Sequence, residues 1–198
     1  MQPVEELAQL LRPAGGGLYL VSTGRAKQIA LQRRLYGATT EEQVQQKFIQ
    51  SLEKIATARA VLLGIPSDVG AGFLRGANMG PQAIRTALLD EDPSWPGRAE
   101  AAGLVDIGDV FVVPQLLHDD MLNEEQKTAS RRALYPSLSP EQAAHLPVSP
   151  LSIAERAFDL VFQLNPRVAP LVLGGDHSTA WPVVAALAKS LRHPWGIV

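Results

Sequence analysis

The stretch LVLGGDHSTAW, Leu171 to Trp181, sets an aspartate, a histidine and a serine directly after two glycines. Of these groups the imidazole in its neutral form can serve as a metal ligand. Gly174 and Gly175 lack a Cβ, so the chain can turn sharply there and bring other backbone close. Asp176 and Ser178 stand where they can accept hydrogen bonds from the first amides of a following helix, which would orient His177. An adjacent helix N-terminus also favours the neutral ring that metal coordination requires. The competing reading of the same residues is a turn whose histidine only hydrogen-bonds within the domain. Phosphate binding by the two glycines is not supported, because neither a lysine nor P-loop spacing accompanies them.

Other polar residues invite a plainer reading. Asp68 in PSDVGAG and Arg75 in LRGAN follow the first apolar run, where they would shape a pocket or fix the loop through an ion pair. Asp109 in DIGDV would support a ligand from behind or, preferably, form a turn. Arg85 is expected to pack along its helix or pair with a carboxylate. His118 to Asp120 looks metal-like on paper, but a proline-flanked segment positions ligands poorly. His145 and His193 have no partner pattern and default to the surface or local hydrogen bonds.

Composition limits the function classes. The chain has 198 residues, a formal net charge of -2, no block of like charge and no cysteine. This suits a soluble protein with one sizeable core and excludes disulfides and thiolate metal sites. No charge footprint for nucleic acid or an anionic membrane surface is present. The N-terminus carries no basic region followed by an apolar core, so the expected compartment is the cytoplasm.

The elements that must position His177 follow from periodicity. Residues 1–57 read as a polar, helical extension broken at RPAGGG. Within it, Thr39 and Glu42 suggest a capping box, ahead of Val44, Phe48, Leu52 and Ile55 on one helical face. From Ala58, ARAVLLGIP suits a strand buried on both faces, GPQAIRTALL a helix, and LVDIGDV another strand. Residues 111–150 form an excursion, with a short helix expected near Asn123 to Ala133. Ser152 and Glu155 suggest a second capping box ahead of a helix bearing Ala157, Phe158, Val161 and Leu164. VAPLVLGG is then a buried strand, Thr179 to Leu191 a helix, and WGIV the opening of a further strand. Strands alternating with helices predict an α/β fold, a three-layer α/β/α arrangement around a mostly parallel sheet.

Taken together, GIPSDVGAGFLRGANMGPQAIRTALL, DIGDV and LVLGGDHS resemble, in their order, the arginase and agmatinase family of ureohydrolases. The resemblance covers about Ala58 to Val110 and Leu151 to Val198. It implies an arginase-like fold, incomplete in this chain, with residues 58–198 as the first part of the domain and 111–150 as an insertion. It also implies hydrolysis of a guanidino or amidino C–N bond by a hydroxide bridging two manganese ions (Mn2+), with His177 a ligand of one ion. A small guanidino or amidino substrate and assembly into trimers or hexamers are implied in the same way. The family's further ligands, in an Asp-Ala-His-x-Asp stretch and a later Asp-x-Asp stretch, do not occur in these 198 residues. The chain alone is therefore expected to be inactive, with a continuation beyond Val198 supplying the rest. Two alternatives remain open: a degenerate, non-catalytic subunit used for binding or assembly, and the related metal-dependent chemistry of the deacetylases. RGANMGPQAIR argues against the second.

Overall fold

The computed structural model describes residues 1–191 together with Trp195 and Gly196. His193 and the end of the expected strand over 195–198 lie outside the described residues. Among the described residues four strands form one sheet: β1 (Leu11–Arg12), β2 (Ala60–Ile65), β3 (Leu104–Val110) and β4 (Ala169–Gly174). Their spatial order is β1-β3-β2-β4, with β2 parallel to both β3 and β4, and the two-residue β1 antiparallel to β3. The mostly parallel α/β sheet is as the sequence indicates. Val61 to Ile65 are all buried; since successive side chains point to opposite faces, β2 is covered on both sides.

The helices are α1 (Pro3–Leu10), α2 (Ser22–Tyr36), α3 (Glu41–Glu53), α4 (Gly80–Glu91), α5 (Trp95–Ala101), α6 (Glu124–Leu134), α7 (Pro140–Ala143), α8 (Pro150–Leu164) and α9 (Trp181–Ser190). In α3 the expected face is buried through Val44, Phe48 and Leu52, and Ile55 follows in a 3-10 turn. Its cap lies one residue later than the spacing suggests. Thr40 accepts from the Gln43 amide, whereas Thr39 donates to the Gln43 side chain. The second capping box is also corrected. α8 starts at Pro150, so Ser152 lies inside the helix, where its hydroxyl accepts the Asp119 amide at 3.0 Å. Proline at the first helical position explains the earlier start, because it needs no hydrogen-bond acceptor and presets φ. The helix expected over Thr179 to Leu191 opens as a 3-10 turn, His177–Ala180, before α9 begins.

Residues 1–57 contribute directly to the core. Leu7, Leu10, Leu11, Phe48, Leu52 and Ile55 are buried with Val61, Ile107, Phe158 and Val161 in one cluster. Arg156 clamps the buried Glu6 with two hydrogen bonds, at 2.6 and 2.9 Å, joining α8 to α1. β1 escapes a periodicity reading because two residues are too few to show a period of 2. No helix among the described residues is long and apolar enough to cross a membrane.

Beneath the sheet runs a polar network. Arg85, on α4, is fully buried; it donates to both Asp106 oxygens, at 2.8 and 2.9 Å, and also pairs with Asp109. Burial works against the guanidinium charge, but the two carboxylates hold Arg85 above its ordinary pKa. Asp109 in turn accepts the Gly15 amide at 2.8 Å, fixing the break in the N-terminal segment onto β3. The carboxylate pairing expected for Arg85 is observed. Asp109, expected to form a turn, is instead an internal anchor, and Gly64 leaves space for it: a Cβ there would lie 1.9 Å from the Asp109 carboxylate.

Candidate functional site

β2 and β4 run parallel, so their carboxyl ends open on the same side, and the loops that follow meet there. After β4 the chain passes through Gly175 and Asp176 into the His177–Ala180 turn. Neither glycine adopts a positive φ. What each permits is close approach. A Cβ on Gly175 would lie 1.9 Å from the Ser67 carbonyl oxygen, and one on Gly174 would lie 2.3 Å from Thr179 Oγ1. The turn therefore sits directly on the chain leaving β2, and the Asp176 amide donates to the Ser67 carbonyl at 3.0 Å.

Asp176 organises the turn. Its Oδ1 accepts the Ser178 amide at 2.8 Å, and its carbonyl accepts the Thr179 hydroxyl at 2.7 Å. The Ser178 hydroxyl donates to the same carboxylate, where the sequence suggests an acceptor. Asp176 Oδ2 and Ser67 Oγ are buried without a hydrogen-bond partner among the described residues. His177, between these fixed neighbours, is exposed beside a shallow cleft of about 500 Å³ walled by β4 and the start of α9.

Asp68 and Arg75 are brought together with each other, beside the His177 turn. Arg75 Nη2 lies 2.6 Å from Asp68 Oδ1, and Asp68 Oδ2 accepts the Gly76 amide at 2.6 Å. Burial opposes the Asp68 charge, but the Gly76 amide and the Arg75 guanidinium outweigh it and hold the carboxyl below its ordinary pKa. The loop seats on the turn at Gly70, whose Cβ position would lie 3.2 Å from both Asp176 carboxylate oxygens. Ser67, Gly70 and Thr179 thus build the site without having been singled out in the sequence. The glycines of DVGAG were the available signal for a close approach.

His118 to Asp120 is not brought to this site. His118 accepts the Asp120 amide, and Asp119 accepts the amides of Val148 and Ser149, closing the 111–150 excursion on itself. His145 is exposed.

Among the described residues no group of three or more histidine, cysteine, aspartate or glutamate side chains could hold a metal ion. The donors near the turn are one imidazole and the unpartnered Asp176 oxygen. They do not by themselves make up the ligand set of a two-metal centre.

The sequence profile of the Arginase family matches residues 58–198. The chain is 28% identical over 154 residues to "Arginase 1, mitochondrial" of Arabidopsis thaliana, covering 72% of this chain and 36% of that protein. It is 31% identical over 134 residues to an arginase of Brevibacillus brevis, covering 67% and 36%. With an N(1)-aminopropylagmatine ureohydrolase of Thermococcus kodakarensis it shares 27% identity over 133 residues, covering 66% and 36%. The matched part of the chain spans about a third of the length of these curated relatives. No solved structure gives a significant match.

Proposed function

Since the chain belongs to the arginase family, we propose that the protein is a ureohydrolase, hydrolysing a guanidino or amidino C–N bond with manganese, and that His177 is a ligand of one ion. The observation that carries this reading is the presentation of His177. An exposed imidazole stands at the carboxyl end of a parallel strand, on a turn that admits no Cβ at Gly174 or Gly175. A turn packed this closely fixes the backbone that carries the ring, which favours a metal ligand. The unpartnered Asp176 oxygen beside it supports the same reading, because a buried acceptor left unmade is costly unless something else uses it.

Manganese accepts imidazole and carboxylate together and, when bound, supplies a Lewis acid. The described residues contribute one imidazole to such a centre, so the remaining ligands must come from elsewhere in the assembled protein. Asp68 and Arg75 have the supporting task of holding the neighbouring loop against the His177 turn. Gly174, Gly175, Asp176 and Ser178 shape and orient that turn.

The proposed substrate is a small guanidino or amidino compound, the proposed compartment is the cytoplasm, and the proposed assembly is a homotrimer or hexamer. Urea release by the full-length protein, with arginine and agmatine each supplied with and without manganese, tests the activity. Manganese-dependent release from either supports it. No release from these or from other guanidino compounds, together with no manganese binding, would favour a non-catalytic binding or assembly subunit.

A further inference from the structure

A second cleft lies at the β3 side of the sheet, two strands away from β4, and belongs to no part of the His177 site. It measures about 260 Å³ and is walled by α2, α3 and α5 over the first residues of β3. This is below the roughly 300–1,000 Å³ of sites for drug-sized ligands, so its occupant is a smaller molecule.

The charged groups lining the cleft are Lys47, Lys54, Glu100 and Asp106. Lys54 and Glu100 pair with each other at 2.6 Å, whereas Lys47 and Asp106 have no partner among the charged groups that line the cleft. Lys47 donates to the Tyr36 and Gly37 carbonyls, at 2.7 and 2.9 Å, and so commits two of its three protons. Asp106 accepts two bonds from Arg85 and one from the Gly108 amide, three of the roughly four that a carboxylate can take. Its side chain remains 27% exposed.

The cleft thus holds one cation, Lys47, and one anion, Asp106, that no other charged group of its lining pairs, each with hydrogen-bonding capacity left. Two aromatic side chains, Tyr36 and Trp95, also line the cleft. The Tyr36 hydroxyl accepts the Ala14 amide at 2.9 Å and keeps its own proton, which burial helps it retain by raising its pKa.

We propose that this cleft binds a small zwitterionic amino acid, its ammonium group at Asp106 and its carboxylate at Lys47, as a ligand separate from the substrate of the His177 site. Asp106 shares Arg85 with Asp109, and Asp109 holds Gly15, so occupancy bears on the joint between residues 1–57 and the sheet. The inference does not depend on the ureohydrolase reading.

The test is a saturation-transfer NMR titration of the full-length protein with 6-aminohexanoate, which carries both charges and no guanidino group. Hexylamine and hexanoate, which carry one charge each, are the comparisons. The expected result is saturable binding of 6-aminohexanoate, with both single-charge compounds at least about tenfold weaker, a difference equivalent to the loss of one charge-assisted hydrogen bond. Ala99→Phe places a ring in the cleft without removing any charged group and should abolish the signal while the protein stays folded by circular dichroism. Equal binding of the three compounds, an undiminished signal in folded Ala99→Phe protein, or no saturable binding would overturn the proposal.

Discussion

The Asp176 amide donates to the Ser67 carbonyl at 3.0 Å, so the turn bearing His177 is hydrogen-bonded to the chain leaving the neighbouring parallel strand. Gly175 makes this possible, because any side chain there meets the Ser67 backbone. Gly175→Ala should therefore break the contact or push the strands apart, at a cost of about 1–3 kcal/mol for overpacking. Thermal unfolding checks the cost, and the His177 side-chain NMR signals report displacement of the turn. Gly97→Ala, where a Cβ has open space, is the control and should change stability far less.

Arg85 is fully buried between two carboxylates, and its removal leaves them without their shared counter-charge. Arg85→Met should destabilise by about 3–5 kcal/mol, the range for breaking a buried pair from one side. Denaturant unfolding measures this. Lysine at the same position should restore little, since it lacks the planar fork that reaches Asp106 twice and Asp109 once.

The Asp68–Arg75 pair is unequal, with Asp68 3% and Arg75 45% exposed. Arg75→Ala should cost only about 0–1 kcal/mol, as for other solvent-screened pairs. Asp68→Asn should cost more, about 1–3 kcal/mol, because the Gly76 amide loses its charged acceptor.

The same carboxylate predicts a pH dependence. The folded pKa of Asp68 is depressed, so its stabilisation is present above the ordinary carboxylate value and is lost as pH falls through the folded one. The stability gap between the native chain and Asp68→Asn should hold at neutral pH and shrink below about pH 4. Denaturant midpoints taken from pH 7 down to pH 3 check the sign; a gap that widened in acid would contradict it.

Asp119 closes the 111–150 excursion through the Val148 and Ser149 amides. Asp119→Ala should loosen that segment, costing about 1–3 kcal/mol for buried donors left unmade. Limited proteolysis should then cut within 111–150 before any site in the sheet.

The sequence made the fold legible where periodicity was long or apolar. The run around Val61 read as a buried strand, and the stripe through Val44, Phe48 and Leu52 read as a helix face; the run around Val172 forms a strand as expected, but β4 lies beyond β2 with only one neighbour among the described residues and is exposed or half-buried along its length, not buried. Caps misled by one to three residues, because several serines and threonines compete near each helix start and local spacing cannot choose among Thr39, Thr40, Ser149 and Ser152. The site was legible at Gly174 to Ser178, where unusual residues crowd together. It was not legible at Ser67 and Gly70, since their roles depend on which strand lies beside β4. Asp106 was hidden for the same reason: a carboxylate on a strand reveals its partner only when the helix bearing Arg85 is laid over it.

If His177 holds manganese, the metal content of the folded protein depends on its imidazole. Full-length protein and its His177→Ala variant would be equilibrated with manganese, and bound metal measured by inductively coupled plasma mass spectrometry alongside circular dichroism. Loss of a direct ligand should weaken binding by at least about tenfold, since even outer partners of ligands are worth that much, while the fold is retained. Equal manganese occupancy in the two folded proteins would contradict the assignment.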